Sequence, residues 1–74
     1  MKIIEGITAT GDHVWIVIES SAKGKEVETG FRTYKEAHAY RAAVFAYRQL
    51  PDRRLLNSVE RLRRSATISY GHNR

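Results

Sequence analysis

The chain has no cysteine and a single proline among its 74 residues. Without thiols it has neither a disulfide framework nor a thiolate metal site, so the fold must rest on one hydrophobic core. At this length roughly 60% of the unfolded surface can be buried, and a second lobe has no room. Residues 1–74 therefore read as a single domain. No run approaches the ~20 apolar residues of a membrane span. The first residues, MKIIEGITATGDHVW, place acidic and turn residues where a signal peptide needs a continuous apolar stretch, so the expectation is a complete cytoplasmic product with no membrane partner.

Clusters that carry chemistry are also missing. The sequence holds no Gly-rich phosphate loop and no nucleophile elbow, and His13, His38 and His72 fall on a turn, a helix and the tail, not at an i, i+4 spacing. Glu26 and Glu28 share one strand face, which reads as a solvated surface and not as a catalytic pair. The expectation is a non-enzyme that uses no cofactor and holds no metal.

What is present is a segregated charge. Residues 1–33 carry four bases against five acids, a net of −1, whereas residues 34–74 carry nine bases against three acids, a net of +6. Eight of the nine bases in the second half are arginine. The planar guanidinium fork suits phosphate and carboxylate, so the basic half points to an anionic partner.

The acidic half, 1–33, reads as an antiparallel sheet. KIIEGITA and HVWIVIES are rich in β-branched residues and flank TGDH, where Gly11 and Asp12 can supply the positive φ angles of a tight hairpin. A second turn follows in SSAKGK, and EVETGFRT then alternates Val27, Thr29 and Phe31 with Glu26, Glu28 and Gly30. Three strands in a meander are expected, with the middle one apolar on both faces: Val14, Ile16 and Ile18 on one, Trp15 and Val17 on the other. The Ile16 face is expected to meet the helices. Trp15 and Val17 would then form an exposed patch, for which a second copy of the chain is the candidate cover.

The basic half, 34–74, reads as helical. Thr33 and Glu36 have capping-box spacing, so a first helix should start at about Tyr34. Ala37, Tyr40, Ala43, Val44, Tyr47 and Leu50 are expected on its apolar face, with His38, Arg41, Phe45 and Arg48 set against them. Pro51 should end it near Gln49 or Leu50. A second helix over about 52–65 has a seam at Leu55, Val59, Leu62 and Ala66, widened by Leu56. Arg53 and Arg54 occupy its first turn against the helix dipole, which implies either a compensating ligand or a later start capped by Asn57 with Glu60. Residues 67–70 leave room for a short C-terminal strand. The fold class is α+β: a three-stranded antiparallel β-meander followed by two α-helices packed on one face.

Tryptophan in the second strand (HVWIVI) and GFRTYKEAHAY leading from the third strand into an alanine-rich helix resemble the arm-type, AP2-like DNA-binding domains of phage integrases, over about residues 10–48. The resemblance implies a sheet laid into the DNA major groove by its exposed face. Glu26 and Glu28 depart from that pattern, because carboxylates facing phosphate oppose binding. The helix RRLLNSVERLRRS has no counterpart in it.

Two functions fit these residues. In the first, a small phage- or mobile-element-type protein binds nucleic acid, with DNA ranked ahead of RNA, through Arg41, Phe45, Arg48, Arg53, Arg54, Arg61 and Arg64: arginines for phosphates and one ring for a base. In the second, the same residues dock a small protein-binding module onto an acidic partner surface. Against both stands a purely structural reading of Phe45, in which it packs beneath the second helix.

Overall fold

A computed structural model describes residues 1–20, 23–66 and 68–71. The element order is β1 (Lys2–Ile7), β2 (His13–Ser20), β3 (Glu26–Phe31), α1 (Tyr34–Gln49), α2 (Arg53–Arg64) and β4 (Ile68–Gly71). The α+β architecture is the expected meander followed by two helices, and the short C-terminal strand is present. The sheet is antiparallel throughout in the order β1-β2-β3-β4, with β4 added beside β3.

The first hairpin turns differently from expectation. Gly11 has a φ of +89°, but no other described residue of the loop has a positive φ, Asp12 included. The Gly11 N–H donates to the Thr8 carbonyl and the Thr8 N–H to the Asp12 carbonyl, both at 2.9 Å, so the chain reverses over residues 9–11. One left-handed glycine after an ordinary turn closes such a three-residue loop.

Helix starts follow their caps. The Thr33 hydroxyl accepts from the Glu36 N–H at 3.2 Å and donates to the Glu36 carboxylate at 3.0 Å. The glutamate thus reaches back to the cap side chain. α1 stops at Gln49 as Pro51 dictates, and Leu50, already extended at φ −141°, swings off the apolar face to 66% exposure. α2 starts early, not at Asn57: the Asp52 carboxylate accepts from the Arg54 N–H at 2.7 Å. That carboxylate puts a negative charge at the end of the helix where Arg53 and Arg54 break the dipole rule.

The core lies between the sheet and the helices. It contains Val17, Phe31, Ala37, Tyr40, Val44 and Val59, with Ile3, Trp15, Ala43, Tyr47, Leu62 and Ala66 packed around them. This reverses the expected choice of sheet face: Val17 is fully buried and Trp15 half-buried within the core cluster beneath the helices, while on the other face Val14 is buried and Ile16 and Ile18 half-buried outside that cluster. The register explains the reversal. Trp15 pairs with Phe31 and Val17 with Thr29, so the dry face of β3 continues across the odd-numbered residues of β2, while Ile18 lies beside Glu28. The patch that motivated a second copy of the chain is therefore covered by this chain's own helices.

One polar cluster interrupts the core. Tyr40, fully buried on α1, donates its hydroxyl to Glu19 of β2 at 2.6 Å and accepts from Arg63 of α2 at 3.1 and 3.3 Å. Arg63 also lies over the Tyr40 ring, 5.9 Å from its centroid, and Arg48 approaches Glu19 at 4.0 Å. Glu19 is only 8% exposed, so its carboxylate depends on these partners for the hydration it has lost.

Burial, and next the Glu19 carboxylate, hold the Tyr40 hydroxyl above the usual tyrosine value, with Arg63 opposing. The folded chain keeps this proton to higher pH than the unfolded chain. The resulting stability is whole below about pH 10 and is lost as pH rises through the folded value. Tyr40→Phe should lower stability by about 1 to 3 kcal/mol at neutral pH, because buried Glu19 loses its donor. Urea titrations of both proteins from neutral to alkaline pH check this: the difference should shrink above about pH 10, and a variant as stable as the parent at neutral pH contradicts it.

Candidate nucleic-acid interface

The outer side of α2 is built by helical period. Residues 54, 57, 61 and 64 recur at i, i+3, i+7 and i+10, so Arg54, Asn57, Arg61 and Arg64 form a stripe about 15 Å long at 1.5 Å per residue. All four are exposed, as are Arg53 and Glu60. Glu60 is the only acid within the helix. Among the described residues, no ion pair engages Arg53, Arg54, Arg61 or Arg64. Val59, Leu62 and the half-buried Leu55 and Leu56 hold the other side of the helix inward.

On α1 the ring that sequence alone left in doubt is settled: Phe45 is 60% exposed and does not lie beneath α2. Ala43 and Tyr47, about 160° around the helix from it, are the residues packed on the core. α2 packs against α1, its Val59 and Leu62 share one core cluster with Ala43 and Tyr47, and Phe45 stays exposed.

The arginines expected beside Phe45 do not all stand clear of the core. Arg48 follows Ala37 by eleven residues, which at 100° each returns to within about 20° of it. Arg48 accordingly leans toward Glu19, and its side chain is 48% exposed. Arg41, about 40° from Ala37, is half-buried. The opposition expected between these two arginines and the apolar face is therefore corrected; only His38 and Phe45 are well off the core side.

The seven residues singled out from sequence thus fall on two surfaces. Phe45 and Arg41, with Arg48 at the margin, are on the free flank of α1, and Arg53, Arg54, Arg61 and Arg64 are on the outer side of α2. Three further residues belong with Phe45. Tyr34, His38, Arg41 and Phe45 have the spacing i, i+4, i+7 and i+11, which is one stripe. Trp15 extends it onto the sheet: its ring centroid is 5.2 Å from Tyr34 in an edge-on contact and 5.3 Å from His13, and Tyr34 lies 5.9 Å from His38. Tyr34 is 49% exposed. The i, i+4 relation of Tyr34 and His38 is visible in the sequence, whereas the place of Trp15 needs the strand register.

Beyond His13 the strip runs into a shallow cavity of about 380 Å³ lined by Asp12, His13, Val14 and Arg32. The acids at this end are engaged: Glu5 pairs with His13 at 2.8 Å, and Asp12 accepts from Thr10 at 2.8 Å. The open sheet face, by contrast, carries Glu26 and Glu28 beside Ile4, Ile16 and Ile18. Among the described residues, no helix is long and apolar enough to cross a membrane. Comparison with known protein families, curated proteins and solved structures finds no match to this chain.

Exposure makes Phe45 dispensable for folding. Phe45→Ala should change stability by less than about 0.5 kcal/mol, as at other surface positions, where a buried ring would cost about 3 to 5 kcal/mol. Thermal melts decide between them, and loss of the transition would contradict the exposed placement. Replacing Arg53 and Arg54 with alanine should leave stability unchanged or raise it by about 0.3 to 1 kcal/mol per charge, since both oppose the helix dipole. A drop in the melting temperature of that double variant would mean that their aliphatic stems cover the core.

Proposed function

We propose that this chain is a small, cytoplasmic nucleic-acid-binding protein of phage or mobile-element type, gripping phosphates through its arginine-rich helical layer. One observation carries the reading. α2 turns a row of exposed arginines outward, and among the described residues none of them is spent on an ion pair. A solvated surface would be served as well by lysines or by mixed charge. A stripe of three guanidiniums, Arg54, Arg61 and Arg64, spaced by Asn57, is a pattern that phosphate oxygens bind through charge-assisted hydrogen bonds.

The mode of contact differs from the one implied by the resemblance to integrase arm-type domains. The open sheet face presents Glu26 and Glu28, which would meet phosphates with like charge. Ile4, at 41% exposure, and its neighbours Ile16 and Ile18 make that face apolar between its acids. It is the surface that a second copy of the chain would cover, in place of the Trp15 face, which the helices occupy. The helices are the part of the molecule whose charge suits DNA, and a single α-helix fits the width of its major groove.

Counterion release gives the direct test. Each arginine that neutralises one phosphate contributes about 0.9 to the slope of log affinity against log salt on duplex DNA. Arg54→Ala, Arg61→Ala and Arg64→Ala should each lower the magnitude of that slope by nearly this amount while leaving the melting temperature within a few degrees. Fluorescence anisotropy with a labelled duplex over a salt series measures it. Failure of the parent protein to bind duplex and single-stranded oligonucleotides at low salt would overturn the reading and favour an acidic protein as the partner.

A further inference from the structure

We infer that the free flank of α1 is a second contact surface, a stacking track for the unpaired bases of single-stranded nucleic acid. The inference rests on the nucleic-acid reading and specifies its substrate. The outer face of α2 offers charge alone and cannot distinguish a duplex from a single strand. The flank of α1 offers rings, and a ring is useful only to a base whose π-face is accessible.

Three features of the flank suit that ligand. Phe45 and Tyr34, at 60% and 49% exposure, lie eleven positions apart on the helix, about 16 Å at 1.5 Å per residue, with exposed His38 between them. Ala42, next to Phe45 around the helix, is exposed and small, so nothing bulky screens the ring on that side. Cations sit along the same line: Arg41 within it and Arg32 at its far end in the cavity shared with His13. The track is therefore a row of aromatic surfaces with basic groups at intervals, which is how proteins hold a single strand without reading its sequence. An apolar protein surface could also cover Phe45, but it would not require aromatic character at that position.

Unfolding does not confound the test, because Phe45 lies outside the core. Labelled oligothymidylate and a duplex containing the same strand are titrated at one salt concentration with the parent protein and with Phe45→Ala, Phe45→Leu, Phe45→Trp and Tyr34→Ala. Phe45→Ala and Phe45→Leu should each weaken single-strand binding by roughly tenfold or more, Phe45→Trp should restore it, and the salt slope should not change, since no counterion is released at a ring. Tyr34→Ala should act in the same direction, and the parent's only tryptophan, Trp15, should lose fluorescence on binding the single strand. Duplex binding should be indifferent to all four substitutions.

Three results overturn the inference and are distinct from one another. Duplex binding that depends on the α2 arginines, with single-strand binding absent or unaffected by Phe45→Ala, removes the track and leaves the proposed function standing. Absence of binding to either oligonucleotide removes both. Equal binding by Phe45→Leu and the parent also overturns stacking, because leucine keeps the apolar surface and lacks the ring.

Discussion

The hydrogen bond from Tyr40 to Glu19, with Arg63 behind it, sets the geometry on which both exposed surfaces depend. It joins the central strand to α1 and α1 to α2 through a single hydroxyl. Apolar packing alone would tolerate small rotations of either helix, whereas a buried hydroxyl that must donate to Glu19 and accept from Arg63 does not. Its orienting effect follows from helical period. With Tyr40 pointing inward, Phe45 lies about 140° around α1 and faces solvent; with Arg63 pointing inward, Arg54 and Arg61 lie about 160° to 180° away and face outward. A buried carboxylate is a poor source of net stability, so the cluster is better understood as fixing one arrangement of the three elements than as adding strength to the core.

Charge on the second half of the chain thereby divides into two roles. Arg63, through the Tyr40 hydroxyl, and Arg48, which approaches the carboxylate at 4.0 Å, answer the buried Glu19 and belong to the fold. Arg53, Arg54, Arg61 and Arg64 are displayed on a helix whose acids are confined to Glu60 and the capping Asp52. The sheet contributes the complementary half of the asymmetry. Its other face keeps Glu26 and Glu28, so under the proposed function the helical layer is the side that would meet an anionic polymer.

Local signals made much of this legible. The Thr33 cap, the Pro51 stop, the seam of α2 and the alternation of β3 each act within a few residues, and each gave its element at nearly the right bounds. The choice of sheet face was not legible, because β2 is apolar on both sides and only its pairing with β3 decides which side continues the dry face. Arg48 read as surface charge and Arg63 had no role of its own, since the Glu19 carboxylate and the Tyr40 hydroxyl that engage them lie far away in sequence. The Trp15 end of the aromatic strip was hidden for the same reason. What the sequence left undecided was long-range register, in a chain whose local preferences are otherwise consistent with its fold.

The central claim is that the helical layer, and not the sheet face, meets nucleic acid. The most direct measurement is a heteronuclear NMR titration of the labelled protein with a short oligonucleotide at low salt, following backbone and arginine side-chain signals together. The account predicts perturbations along Arg54, Asn57, Arg61 and Arg64 of α2 and along Tyr34, His38 and Phe45 of α1, with Ile4, Ile16, Ile18, Glu26 and Glu28 silent. Perturbations concentrated on that open sheet face, with the helical arginines unmoved, would contradict it.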